Sequence, residues 1–141
     1  MERGELGISA KPGIVFVFEG LIGHLQHERI EKMALRANRW EYALDQWTFD
    51  LEVRSYIQRM IKQFGTPIDV LTWHPIGFAE ALHDRLWYYD VQVSDTRSTL
   101  YEIASPEMAT DPAISVVFDA EPSHRFGYGF KCREFNAGQI V

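Results

Sequence analysis

A short apolar run near the start of the chain constrains the fold more than any other feature. Ile14–Phe18 are consecutive β-branched and aromatic residues, preceded by a Pro-Gly pair and followed directly by Glu19. A run that is apolar at both odd and even positions is typical of a strand buried on both faces, as central parallel strands are. Parallel strands need crossover connections, usually helices. The run therefore predicts the central strand of an α/β domain, with a carboxylate at its end.

Length and composition indicate one folded domain. The chain has 141 residues, 46% of them hydrophobic and 13% aromatic, which suits a single domain over residues 1–141 with a sizeable core. The N-terminal residues lack the apolar segment of a signal peptide, and the first apolar run is too short to span a bilayer. We expect a soluble cytoplasmic protein without a membrane partner. The single cysteine, Cys132, excludes an intramolecular disulfide and a Cys-based zinc site.

The charge is distributed unevenly. The formal net charge is −6, and residues 1–62 carry nine basic and nine acidic residues, whereas residues 63–141 carry five and eleven. An acidic second half does not favour nucleic acid as the partner, although a local basic patch would be compatible with it.

Helical and extended patterns alternate after the first strand. Residues 52–64 have apolar positions at helical spacing, with Asp50 as the expected N-cap and Gly65 as a stop signal. Residues 68–72 read as a strand, and residues 76–87 as a helix that follows a proline. Three further strands are predicted within residues 98–105, 113–122 and 127–135. This order predicts a three-layer, Rossmann-like α/β domain with a mostly parallel sheet.

Polar residues follow three of the predicted strands. Glu19 follows the first, Thr72 ends the second, and Asp119 and Glu121 end the strand within residues 113–122. The carboxyl ends of parallel strands share one edge of the sheet, where ligands bind. Carboxylates and a hydroxyl at that edge suit a hard cation and a phosphate. The alternative is that Thr72 and Asp119 merely cap the turns or helices that follow them.

Three segments resemble known motifs in the correct order. "IVFVFEGLI", "DVLTWHP" and "SVVFDAEP" are similar to the first, second and fourth motifs of the haloacid dehalogenase-like (HAD) superfamily, a Rossmann-like fold of mostly magnesium-dependent phosphohydrolases. The resemblance extends over roughly residues 13–131. It implies a small helical flap or cap insertion, which would occupy residues 23–47.

The resemblance also implies residue roles. The nucleophile of the family falls on Val17 and its general acid/base on Glu19. The phosphate-binding hydroxyl falls on Thr72 and the metal-binding acid on Asp119, while Ala120 replaces the family's second acid. Glu121, from its place at the strand end rather than from the resemblance, is a weaker candidate metal ligand. Magnesium is the cofactor that these positions imply.

This sequence departs from the family pattern at the groups that perform the chemistry. Valine cannot attack phosphorus, bind magnesium or relay a proton, and loss of such a nucleophile costs on the order of 10⁴ to 10⁶ in rate in other systems. The second hydroxyl of the first motif is replaced by Leu21. No lysine lies between residues 62 and 131 to hold the phosphate, and Arg97 is the only substitute that we suggest. Val17 and Glu19 therefore look vestigial, and we expect no cofactor.

These departures lead to three functional hypotheses. The first is a catalytically inactive HAD-like domain that binds a protein partner or another copy of itself, by analogy with small phage and bacterial accessory proteins that reuse enzyme folds. The second is a magnesium-dependent phosphohydrolase in which Glu19, Asp119 and Glu121 activate water directly. The third is a nucleic-acid-binding module.

Residues 24–47 contain the candidate interaction residues. Apolar residues at positions 30, 33, 37, 40, 44 and 47 have the spacing of one continuous helix face. This face either packs on the domain's own sheet or binds a partner, and Trp40 and Trp47 would then be its anchors.

A basic row lies beside that apolar face. Its members are Arg29, Lys32, Arg36 and Arg39, which could contact phosphates. The neighbouring acids Glu28 and Glu31 favour a solvated face instead, because Glu28 and Lys32 have the stabilising helical spacing.

The histidines give weaker signals. His24 and His27 are three residues apart but lack a third metal ligand at a defined spacing. His74 lies just beyond Thr72 and could line the same sheet edge or a surface turn.

Overall fold

The computed structural model describes residues 13–65, 68–98, 116–120 and 132–134. Along the chain these residues form β1 (Ile14–Val17), β2 (Gly23–Leu25), α1 (Glu28–Arg36), α2 (Trp40–Leu44), β3 (Trp47–Phe49), α3 (Leu51–Phe64), β4 (Asp69–Thr72), α4 (Ile76–Tyr88), β5 (Asp95–Ser98), β6 (Val116–Asp119) and β7 (Cys132–Glu134).

The first strand lies at the centre of a five-stranded sheet, as its apolar sequence predicts. The strand order is β5-β4-β1-β6-β7, and every neighbouring pair is parallel. The chain moves from β1 outward through β4 to β5 and then returns to the other side of β1 for β6 and β7. The order therefore reverses beside β1, which is where parallel α/β sheets bind ligands. The prediction of a Rossmann-like α/β fold with a parallel sheet is confirmed.

Both faces of the central strand are buried. Phe16 and Phe18 face a core that includes residues of α3 and α4, and both side chains are 0% exposed. Val15 and Val17 point to the opposite face, where they pack with Leu71 and Val117. This alternation is the structural reason for the uninterrupted apolar sequence. The described helices α3 and α4 form one layer, and the connection from β5 to β6 falls outside the described residues.

Helix α3 begins and ends at the residues that the sequence indicates. The side chain of Asp50 accepts a hydrogen bond from the backbone N–H of Val53 at 3.0 Å, and Gly65 adopts a left-handed conformation with φ of 63°. These are an N-cap and a C-terminal glycine of the usual kinds. Neither α3 nor any other helix in the described part of the chain is long and apolar enough to cross a membrane.

The strand next to β4 begins earlier in the chain than predicted. β5 covers Asp95–Ser98, whereas the pattern indicated residues 98–105, of which 99–105 lie outside the described residues. Its sequence is polar because it lies at the edge of the sheet formed by the described strands and is only partly buried. Arg97 holds it to β4 through an ion pair with Asp69 at 2.9 Å. A polar edge strand of this kind carries little hydrophobic signal.

We refer to residues 23–49 as the insertion. Its structure differs from one prediction made from the sequence. The expected continuous helix face over residues 30–47 is wrong, because the chain forms two helices enclosed by the antiparallel strands β2 and β3. The break falls at Asn38, whose φ of 56° lies in the left-handed region that asparagine tolerates better than most residues. Met33 is 63% exposed, and Trp47 belongs to a strand.

Aromatic packing attaches the insertion to the rest of the domain. The fully buried ring of Phe18 lies 4.9 Å from the ring of Trp47, 5.7 Å from that of Phe49 and 6.0 Å from that of Phe78. Such contacts add to the burial of apolar area. At Gly23 the backbone approaches this ring so closely that a Cβ atom would lie 2.4 Å from the Cζ of Phe18.

We predict that Gly23→Ala destabilises the protein by about 1–3 kcal/mol, the usual effect of adding a methyl group to a packed core. Glycine is otherwise unfavourable within a strand, so the substitution would be stabilising if the Phe18 ring were free to move. Urea unfolding followed by circular dichroism measures the difference. Thr48→Ala, an exposed change on the adjacent strand, is the control and should stay within about 0.5 kcal/mol of the wild type. Equal or greater stability of Gly23→Ala would contradict the packing described.

Candidate functional site

A tight turn follows the central strand and carries Glu19. The carbonyl of Phe18 accepts the backbone N–H groups of Leu21, Ile22 and Gly23 at 3.3, 3.0 and 2.9 Å. Gly20 has a φ of 82°, a conformation that other residues rarely adopt. The turn leaves Glu19 only 7% exposed at the carboxyl edge of the sheet.

Strand pairing brings Thr72 to this carboxylate. β4 lies beside β1 in register, and the Thr72 hydroxyl donates to Glu19 Oε2 at 2.5 Å. The backbone N–H of Trp73 donates to the same oxygen at 3.1 Å. Thr72 is fully buried, so this hydroxyl is committed to an internal contact.

The loop after β4 adds His74, which lies between two buried carboxylates. Its Nδ1 is 2.5 Å from Glu19 Oε2, and its Nε2 is 2.9 Å from Glu31 Oε2, on helix α1. Because both ring nitrogens face carboxylate oxygens, both carry a hydrogen and the ring is an imidazolium. The indole N–H of Trp47 also donates to Glu31 Oε2, at 2.5 Å. We call Glu19, Thr72, His74, Glu31 and Trp47 the buried cluster.

The surroundings of His74 stabilise the positively charged form of its imidazole ring. Burial by itself lowers the pKa of the imidazole, but the hydrogen bonds and negative charges of Glu19 and Glu31 outweigh it and raise the pKa to about 9. The His74 side chain is 13% exposed, and the two carboxylates are 7% and 6% exposed. Removing one member of such an arrangement leaves an uncompensated buried charge, which is strongly destabilising.

One acceptor in the buried cluster has no partner in the described part of the chain. Glu19 Oε1 is buried and receives no hydrogen bond from the residues that the structure describes, whereas Oε2 of the same carboxylate receives three. A desolvated acceptor without a donor is costly, and such groups are uncommon in folded proteins.

The structure places the remaining predicted site residues differently. Val17 is fully buried among the apolar residues of the opposite face. Asp119 ends β6, and the register that pairs Phe16 with Phe118 brings its backbone beside Val17. Glu121 lies outside the described residues.

Arg97 does not replace the missing lysine. It lies on the edge strand β5, which β4 separates from β1, and its guanidinium is paired with Asp69. That suggestion from the sequence is therefore wrong. His74 is the one cationic side chain in the described part of the chain that contacts Glu19.

The two candidate tryptophans are partly buried within the domain. Trp40 and Trp47 both pack against the hydrophobic core. The ring of Trp40 lies directly over Gly77, where a Cβ atom would come within 2.3 Å of it. The proposed role of these two residues as anchors for a partner stays a prediction.

The basic row is exposed on and just after α1. Lys32 pairs with Glu28 at 3.1 Å, as the helical spacing indicates, and Arg39 lies over the ring of Tyr42 at 5.0 Å. Arg36 and Arg39 are both exposed. Their use in binding also stays a prediction.

His24 and His27 are not neighbours on a helix. His24 lies in β2 and contacts Asp50 at 3.0 Å, whereas His27 precedes α1. Within the described ranges no group of three or more His, Cys, Asp or Glu side chains is placed to hold a metal ion.

Sequence reasoning missed Glu31 and gave little weight to His74. Glu31 was expected on a solvated face, but α1 turns Glu31 and Ala34 inward. A charged residue on the buried side of a helix contradicts the hydrophobic pattern, so the pattern points to the wrong face. The position of His74, two residues after Thr72, was the one available signal for this cluster.

We predict that His74 makes the protein more stable at pH 6 than at pH 10. The folded-state pKa of about 9 exceeds the ordinary value of 6.5, so the contribution is complete below pH 6.5 and is lost as the pH rises through 9. The full difference corresponds to about 3 kcal/mol. Urea unfolding at several pH values measures it, with His74→Gln as the reference for all other titrating groups. Parallel pH profiles for the two proteins would contradict the ion-pair geometry.

Comparisons with known proteins bear on the fold alone. No protein-family model matches the chain, and no curated protein matches it. Among solved structures, a chain of the Pnkp1/Rnl/Hen1 complex is similar, with a TM-score of 0.59 and 14% sequence identity. The match covers 89% of this chain and 46% of that one, so this chain spans less than half of its length. The likeness supports a Rossmann-like α/β architecture for this chain.

Proposed function

We propose that the chain is a degenerate HAD-like domain that does not catalyse phosphoryl transfer and acts by binding a protein partner or a second copy of itself. The observation that carries this proposal is Val17. The resemblance assigns this position to the nucleophile, yet the side chain is apolar and 0% exposed. A phosphoaspartyl mechanism needs a carboxylate there.

The sheet supports the HAD-like part of the proposal. The strand that resembles the first motif is central, with the Thr72 strand on one side and the Asp119 strand on the other. The insertion follows the first motif directly, where the family carries a flap or cap. The motif-like segments therefore meet at one sheet edge, as the resemblance requires.

The contacts of Thr72 argue against phosphate binding at this edge. Its hydroxyl donates to Glu19 and is not free to donate to a phosphate. As long as Glu31 is in place, the carboxylates of Glu19 and Glu31 would repel an anionic group placed beside them, and the single cation, His74, is shared between them. The described residues provide no further positive charge at this position.

The residues present also fit magnesium poorly. Magnesium prefers several carboxylate oxygens in octahedral geometry, but position 17 supplies a hydrocarbon side chain. Glu19 Oε2 is occupied by three donors, and the imidazolium of His74 at 2.5 Å would repel a divalent cation. We therefore assign no catalytic step to a metal ion.

Exposed aromatic side chains support a binding role. Tyr42 is 44% exposed on α2, and Trp87 and Tyr88 are 49% and 82% exposed at the end of α4. Aromatic residues are frequent energetic anchors of protein interfaces. A domain without phosphohydrolase activity would use such surfaces rather than the sheet edge.

A second candidate function rests on one observation. Glu19 Oε1 is buried and unpartnered among the described residues, so it is an acceptor available to a water molecule. In a residual phosphohydrolase this oxygen would serve as a general base. General-base catalysis contributes typically about 10² to 10⁴ in rate, far less than the hydrolysis of a phosphate monoester requires.

We predict that the native protein hydrolyses a generic phosphomonoester in magnesium no faster than the Glu19→Gln control does. Val17→Asp should restore little activity, because the lysine and the second hydroxyl of the family remain absent and a buried carboxylate is costly. A colorimetric assay with p-nitrophenyl phosphate measures both. Turnover of about 1 s⁻¹ or more, abolished in Asp119→Asn, would overturn the proposal and establish the second candidate.

A further inference from the structure

We infer that His74 and Trp47 form an oxyanion-binding site, and that the carboxylate of Glu31 occupies it as an internal ligand. The external ligands it would take are small carboxylates or phosphate. The inference concerns a different position from that of Val17 and Asp119, and it does not depend on whether the chain hydrolyses phosphomonoesters.

Two donors from different elements converge on a single oxygen. His74 follows β4 of the main sheet, and Trp47 lies on β3 of the insertion. The imidazolium Nε2–H and the indole Nε1–H reach Glu31 Oε2 at 2.9 and 2.5 Å. A cationic donor paired with a neutral donor is a combination that binds oxyanions strongly in a site shielded from water.

The donors are held in place by groups other than Glu31. The His74 ring stacks on Phe78 at 4.1 Å, and the Trp47 ring packs against Phe18 at 4.9 Å and against the edge of His74 at 5.5 Å. The contact of Nδ1 with Glu19 at 2.5 Å does not involve Glu31 and fixes the orientation of the imidazole ring. The site is therefore preorganised, which lowers the entropic cost of binding a ligand.

The internal ligand is carried by a weakly anchored helix. Of the nine residues of α1, only Glu31 and Ala34 are buried, while Ile30 and Met33 are 38% and 63% exposed. A helix this short is marginal in isolation and depends on its tertiary contacts. Besides the packing of Ala34 and Leu35 against the core, the carboxylate of Glu31 is therefore a substantial part of what docks this helix.

The test is to remove the internal ligand and supply an external one. In Glu31→Ala, acetate and inorganic phosphate should each raise the melting temperature relative to chloride at equal ionic strength, with a dissociation constant of about 1–10 mM, as expected for so small a ligand. The Trp47 indole N–H signal should shift in the ¹⁵N NMR spectrum as the ligand binds. The wild type should show neither effect, because its own carboxylate fills the site.

Two variants make the test specific. Glu28→Ala removes an exposed carboxylate from the same helix, where the side chain is 68% exposed, and should not respond to either anion. Glu31→Ala combined with His74→Gln should lose the response, because the cationic donor is gone. An equal response in Glu28→Ala, or no response in folded Glu31→Ala, overturns the inference. A response to acetate alone identifies a carboxylate ligand, and a response to phosphate identifies a phosphorylated one; either result supports the site.

A variant that keeps the side-chain volume covers the case in which Glu31→Ala does not fold in buffer. Glu31→Gln retains the shape and an acceptor for the indole but removes the negative charge. Phosphate and acetate should then shift the Trp47 indole signal at concentrations that leave the wild-type signal unchanged. Identical spectra for Glu31→Gln with and without both anions would overturn the inference.

Discussion

The imidazolium of His74, held between the carboxylates of Glu19 and Glu31, is the interaction on which the site depends. It links the end of the central strand, the loop after β4 and helix α1 of the insertion through contacts of 2.5 and 2.9 Å. All three charged groups are largely removed from water, so each is tolerated only because the others are present. The ion pairs therefore fix where the insertion lies against the sheet edge, and they determine which polar groups remain available there.

The positions to which the HAD resemblance assigns catalytic or ligand-binding roles make internal structural contacts in this protein. Glu19 accepts three hydrogen bonds, Thr72 donates its hydroxyl to Glu19, and Val17 belongs to an apolar cluster. The result is a sheet edge whose polar groups, Glu19 Oε1 excepted, pair with one another. An enzyme site normally keeps such groups poised for a ligand. The apolar residue at position 17, where the HAD resemblance would place a nucleophile, and the internal pairing of its neighbours therefore favour the same functional proposal.

The insertion combines two kinds of attachment. Its strands are fixed by aromatic packing around Phe18, whereas α1 combines the apolar contacts of Ala34 and Leu35 with the buried carboxylate of Glu31. Apolar packing is insensitive to small ions, but a charge-assisted hydrogen bond can be replaced by another oxyanion. The strands and the helix should thus differ in how easily they leave the domain. This difference is what makes an oxyanion site beneath α1 physically reasonable.

The sequence by itself determined the central strand, the α3 helix with its Asp50 cap, and the meeting of Glu19 and Thr72 at one edge. These features follow from local rules: apolar runs, helical spacing, capping residues and the geometry of parallel strands. The polar edge strand β5 gave little signal, since edge positions need little hydrophobicity. Only the tertiary structure decided that Glu31 faces inward and that His74 joins it to Glu19, because residues 43 and 55 positions apart in the chain meet through packing that no local pattern encodes. The charge of His74 arises from those contacts, and so does the commitment of the sheet edge to the protein's own side chains.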